Sequence, residues 1–245
     1  RILLFSYDRR KITMIKLIKL ERQHLHLKTY VMTSLILGLF ILVFTYFVAN
    51  VAQIEQETEF MVYENIFLFS SIISTLLFGI LSATMYNNLI IKEYTGERIA
   101  LLFSYPVNRK KIFMIKVLII VSLVSISMLI CTLIPIIIFI ITESIHPIVS
   151  DTITLPLILN TFKIIIFSTF SVNAAGILAM ALGFMKKSIS VTLISAFVLL
   201  CIYCNLMIST NSNPLTFMYI IGISTLIIFI IVIMLSHKIN HMEVH

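Results

Sequence analysis

Along this chain the apolar positions fall into long unbroken runs rather than into an alternating pattern. Six runs stand out, at about 29–49, 64–91, 112–141, 157–184, 189–209 and 215–236. About 20 apolar residues in succession are enough to cross a bilayer as a helix. A barrel strand would instead alternate apolar and polar residues with a period of two. Only helices and closed barrels satisfy a backbone in lipid. The pattern therefore predicts an all-α membrane protein with six transmembrane helices, residues 29–236, and both termini on one side.

Composition agrees. Charged residues make up 12% of the 245-residue chain, against about 25% in an ordinary soluble domain. Mean hydropathy is +1.08. The positions of the charges say more than their number. Of 18 Lys and Arg residues, eight lie in 1–28, six in 92–116, two at Lys186 and Lys187, and one at Lys238. These 17 share the side of the termini, which the positive-inside rule makes cytoplasmic. The opposite side carries Glu55, Glu57, Glu59, Glu64, Glu143 and Asp151. A net charge of +7 placed at span ends implies anionic lipid headgroups of the bilayer as partner, not nucleic acid. Lys163 is the exception. The expected explanation is that span four begins near Ile164 and that 144–163 is a long outer loop.

Residues 1–28 form a cytoplasmic segment of their own. In "RKITMIKLIKLERQHLHLK", Ile15, Ile18 and Leu25 share a helical face with Lys16 and Lys19 at its edge. This predicts an amphipathic helix lying on the membrane surface. The second run would reach about 42 Å as a helix, against a hydrocarbon core of about 30 Å. It must tilt or project into the cytoplasm. Beyond it comes "KEYTGERIALLFSYPVNRKKIFMIK", residues 92–116. Thr95 can cap a short helix, and Glu97 sits where the helix dipole favours a negative charge. Ile99, Leu102 and Phe103 share a face. Tyr105-Pro106 ends the helix, because the residue before proline avoids the α region. Its apolar face is costly to leave in water, so it lies in the interface or docks on a partner.

Two runs carry small residues every fourth position: Ser71, Thr75, Gly79 and Ala83, then Ser171, Ala175, Ala179 and Gly183. Such stripes let helix backbones approach closely, within the chain or between two chains. Asn87, Asn88, Asn173 and Asn205 are amides inside spans and must find partners; bonds between helices are the expected outcome. Chemistry is otherwise sparse. No phosphate-cradling G-x-x-x-x-G-K-[ST] occurs. Cys201 and Cys204 lie within span five, too few for a zinc site, and read as small buried hydrophobes. His24, His26, His237 and His241 lack a paired spacing. No catalytic residue and no metal site is expected.

The loop resembles the coupling segment of the ABC-2 type permeases, the membrane subunits of ATP-driven exporters. Glu93, Gly96, Leu101, Leu102, Ser104, Pro106, Arg109 and Lys116 match that family's Glu, Gly, Leu pair, small residue, Pro, Arg and Lys. The N-terminal "LIKLERQHLHLK" is similar to the family's connecting helix. The resemblance implies that a separate ABC ATPase subunit, which carries the ATP and Mg²⁺, receives Glu93, Gly96, Glu97, Ile99, Leu101, Leu102, Phe103, Pro106 and Arg109. It implies that Lys16, Lys19, Glu21 and Arg22 belong to the connecting helix. A second permease chain, identical or different, completes the transporter in a bacterial cytoplasmic membrane. The short segment 210–216 departs from members with a large outer domain. The layout is closer to the peptide-antibiotic, lantibiotic-immunity and amphipathic-peptide exporters. A transporter without cofactor of its own is therefore expected, not an enzyme. The competing class is a stand-alone carrier or sensor that has no ATPase partner.

Overall fold

A computed structural model describes residues 27–55, 61–93, 109–149, 151–210 and 214–240. The described elements are all helical: α1 (Leu27–Glu55), α2 (Tyr63–Leu89), a 3₁₀ turn (Ile91–Glu93), α3 (Arg109–Ile145), α4 (Leu155–Lys186), α5 (Ile189–Thr210) and α6 (Pro214–Asn240). Five of the six α-helices are long and apolar enough to cross a membrane. The sixth, α6, carries an apolar stretch at Gly222–Ser236. This is a multi-pass helical membrane protein. The N-terminal segment 1–26 and the predicted coupling helix lie outside the described residues.

The helices run as an antiparallel series, so the bundle has two chemically distinct ends. Lys92, Lys110, Lys111, Lys116, Lys186 and Lys187 mark a basic end; Glu55, Glu64, Glu143 and Asp151 mark an acidic one. The centre is α4, with 83% of its apolar window buried, and next α2, with 67%. For α1, α3 and α5 the buried share falls to 28–39%, and large apolar side chains such as Leu39, Ile126 and Ile194 face outward. In lipid such outward chains carry no penalty, so helix association must come from packing and polar contacts.

The two small-residue stripes meet that need inside the chain. Ala83 of α2, Ala179 of α4 and Ala196 of α5 form one buried cluster. A side chain at Gly79 would collide with Leu200 of α5, and one at Gly183 with Thr192 of α5. A methyl at Gly176 would meet Ser82 and Tyr86 of α2. Glycine thus leaves room for side chains of the neighbouring helix to seat directly against the backbones of α2 and α4. On the other side of the bundle, Gly38 of α1 lies against Cys131 of α3, where an added Cβ would stand 2.9 Å from the Cys131 Cβ. Pro135, four residues on, has no N–H to give the Cys131 carbonyl.

The helix ends differ from the apolar runs. α3 extends from 109 to 145, not 112 to 141, because the backbone ladder continues through polar residues at both ends. The predicted loop 144–163 is non-helical only between Ile145 and Leu155, since α4 begins at Leu155. Thr154 precedes α4 in extended conformation and Pro156 sits in its first turn, where a missing N–H costs nothing. Lys163 therefore lies on α4, and it is exposed. At the other end of α4, Ser188 N donates to Gly183 O at 3.1 Å and Lys187 N to Phe184 O at 3.4 Å. Lys187 has φ 48°. These two bonds around a left-handed residue are a Schellman motif, and it turns the chain into α5 within two residues.

Candidate coupling end and its acidic counterpart

At the basic end, α2 stops at Leu89 and the 3₁₀ turn follows at once, with Ile91 buried and Glu93 partly so. Residues 94–108 lie outside the described residues. The chain re-enters as α3, whose first turns place Phe113 and Lys116 on the buried face. Lys116 is only 2% exposed, although the sequence counts it among the loop's basic residues. Its ammonium forms an ion pair with the Glu93 carboxylate and donates to the Leu89 carbonyl at 3.3 Å. An isolated ammonium in an apolar interior is strongly unfavourable, so a buried lysine demands such partners. The Leu89 carbonyl is also one of the last in α2, where the helix dipole is negative. The pair thus ties the exit of one span to the entry of the next.

Neighbouring amides reinforce this end. Asn88 donates to the Tyr30 hydroxyl of α1 at 3.1 Å, and Asn87 to the Ile189 carbonyl of α5 at 3.4 Å. Further in, Asn173 of α4 donates to Ser125 of α3 at 2.9 Å. Three of the four span amides therefore bond between helices. Asn205 differs: it is exposed and donates to the Cys201 carbonyl of its own helix. Cys204 is buried and Cys201 partly so, and both are free thiols.

Of the sequence-predicted coupling residues, the structure places Glu93 in the buried pair and Arg109 at the start of α3. Gly96, Glu97, Ile99, Leu101, Leu102, Phe103 and Pro106 lie outside the described residues. So do Lys16, Lys19, Glu21 and Arg22. Ser71, Thr75, Gly79, Ala83, Ser171, Ala175, Ala179 and Gly183 are all buried within the bundle. Among them Thr75 donates to Met207 of α5 at 3.8 Å, and Ser168 of α4 to the same sulfur at 3.5 Å.

The acidic end is built around Tyr63, which sequence reasoning passed over, and around acids it had counted only as markers of the outer side. Tyr63 opens α2 in an aromatic cluster with Phe67 and with Phe139 of α3, ring centroids 5.9–6.3 Å apart. That packing holds the Tyr63 hydroxyl 2.8 Å from Glu143 Oε2 of α3. The same oxygen accepts from the Ile148 and Val149 amides at 2.9 and 3.4 Å. Glu143 is 3% exposed, and its other oxygen has no hydrogen-bond partner among the described residues. Asp151 accepts from the Tyr63 amide at 3.2 Å, satisfying a donor that every helix N-terminus leaves open. Asn160 of α4 donates to Glu64 of α2 at 2.7 Å. Lys163 has no ion pair among the described residues. Val62, Glu64, Asp151, Thr154 and Asn160 border an open cleft of about 520 Å³. No group of three or more metal-ligating side chains occurs among the described residues.

No family model matches the chain, and no solved structure matches it. It is similar to the uncharacterized protein YcbO of Bacillus subtilis (strain 168). The two are 24% identical over 185 residues, 75% of this chain and 80% of that protein. The similarity spans most of both sequences rather than one shared segment.

Proposed function

We propose that this chain is the transmembrane permease subunit of an ATP-driven ABC-2 type exporter in a bacterial cytoplasmic membrane. It pairs with a second permease chain and a separate ATPase subunit, and moves an amphipathic cargo such as a peptide, toxin or antibiotic outward. Its basic end and both termini face the cytoplasm. Residues 94–106 receive the ATPase stroke, and residues 1–28 supply the amphipathic connecting helix that the ATPase also binds. The observation that carries this reading is the buried Glu93–Lys116 pair. Two residues that match the family's coupling motif, 23 positions apart, meet at the root of the loop the motif defines. A loop that served only as a tether would not need an internal charge pair at its root. The similarity to a Bacillus protein over most of its length supports a bacterial membrane.

The test is a pull-down on this chain in gentle detergent, with mass spectrometry of the bound proteins and an ATPase assay of the eluate. A stoichiometric P-loop ATPase is the expected result. A single inactive band, repeated in a lipid nanodisc, overturns the permease reading in favour of a stand-alone carrier or sensor.

A further inference from the structure

We propose that the Glu93–Lys116 pair is a latch that makes α3 follow the loop 94–108, so that these two side chains are positioning residues for coupling. The proposal deepens the permease reading and rests on it. Three observations carry it. The 3₁₀ turn is wedged at its start: Ile91 is buried against α4, close enough that a side chain at Gly183 would meet its Cδ1 at 2.8 Å. The turn is held at its end by Glu93, whose partner Lys116 lies two turns inside α3. The same ammonium holds the Leu89 carbonyl at the end of α2. One cation therefore joins the end of α2, the turn and the body of α3.

Stability alone does not require this arrangement. Replacing both members of a buried ion pair by neutral side chains of similar volume is often neutral or stabilising, whereas removing one member is strongly destabilising. What a neutral pair cannot supply is a directional link between the two stems of the loop. With the link, a push on the loop displaces α3 as a body. Without it, the push is absorbed where α3 begins, in the first turn, where Lys110 and Lys111 are exposed.

The experiment uses the full chain with its co-purified ATPase, in a background where Cys131, Cys201 and Cys204 are replaced by serine or alanine. Spin labels go on Met114→Cys in α3 and Lys186→Cys at the end of α4, both exposed positions. Their separation is measured by pulsed electron resonance with and without a non-hydrolysable ATP analogue. The expected result is a nucleotide-dependent shift in the parent protein. The doubly neutral Glu93→Gln, Lys116→Met variant should lose that shift while it keeps its fold, the shift being read on the fraction that retains its ATPase. If that variant does not fold, Glu93→Asp keeps both charges but shortens the reach, and the shift should shrink. An unchanged shift in either folded variant overturns the latch and leaves the permease reading standing. A parent protein that binds its ATPase but shows no shift also overturns the latch. A parent protein that recovers no ATPase overturns both.

Discussion

The Tyr63–Glu143 contact offers the sharpest test of how the acidic end is held. Glu143 Oε2 takes three donors: the Tyr63 hydroxyl at 2.8 Å, the Ile148 amide at 2.9 Å and the Val149 amide at 3.4 Å. A hydrogen bond to a charged group contributes about 1.5–3 kcal/mol net. Tyr63→Phe removes one such bond and leaves the ring in its aromatic cluster. Its cost should therefore be about 2 kcal/mol, roughly a thirtyfold change in the folded-to-unfolded ratio. Glu143→Ala removes all three acceptor contacts and strands a buried phenol and two amides. At about 1–3 kcal/mol for each stranded donor it should cost at least twice as much, partly offset where water reaches the amides. The two changes share one bond, so they should not add. The double variant should fall short of the sum by about 1.5 kcal/mol or more. Unfolding in mixed detergent–SDS micelles, followed by tyrosine fluorescence or circular dichroism, supplies the four free energies of the cycle. A coupling below about 0.5 kcal/mol, the usual limit of additivity, refutes the reasoning. It would mean that Glu143 is solvated and that the phenol is satisfied elsewhere.

Other predictions follow from the same geometry. Gly183→Val should destabilise by about 1–3 kcal/mol, as overpacking does, because the new side chain meets Thr192 and Ile91; the same SDS titration checks it. Lys187→Gly should stabilise by about 1 kcal/mol, since a left-handed φ of 48° costs a side-chain-bearing residue about 1–2 kcal/mol that glycine escapes. A thermal shift in detergent reads it, and a fall in melting temperature would count against the cap. Leu102→Asp or Phe103→Asp should release the ATPase in the pull-down while the membrane fold persists. An ATPase retained by both variants would remove the apolar face of the loop as its docking surface.

How much of this was legible in the sequence depends on the range of the interaction. Membrane helices announce themselves locally, since the bilayer demands about 20 apolar residues and closed backbone hydrogen bonds. The apolar runs and the helices accordingly agree to within a few residues for α2, α4 and α5. They differ most at α1, which continues six residues past its apolar run to Glu55, and by three or four residues at α3 and at the end of α6, because the helical ladder does not stop where the hydrophobic run stops. Lys163 was misplaced for the same reason: a charge was taken as the edge of a span, but an exposed lysine on a helix can carry its ammonium toward the membrane surface. The buried charges were harder. Glu93 and Lys116 are 23 residues apart, and Tyr63 and Glu143 are 80 apart. A signal for each was nevertheless present. Phe113, Lys116 and Ile120 stand at i, i+3 and i+7, and Ile136, Phe139 and Glu143 at i, i+3 and i+7 again. A charge that repeats on an otherwise apolar helical stripe is on the buried face, and a buried charge needs a partner.

The two ends of the bundle are fastened by different chemistry. At the acidic end, bonds from Tyr63, Glu64 and Tyr46 reach Glu143, Asp151, Asn160 and Thr142, so α1, α2, α3 and α4 are all cross-linked there. The links are distributed over three helix pairs, and no single rotamer change releases them. At the basic end, among the described residues, Lys116 joins α2 to α3, Asn88 joins α2 to α1 and Asn87 joins α2 to α5. Between the ends, α2 and α4 meet through glycine, alanine and hydroxyls. Ser71, Ser82 and Ser171 have buried oxygens with no partner among the described residues, so this seam is not pinned by their hydrogen bonds. On the permease reading the latched end is the one that faces the ATPase. A stroke delivered there would reach α2 and α3 together through Lys116, which holds both the Leu89 carbonyl and Glu93.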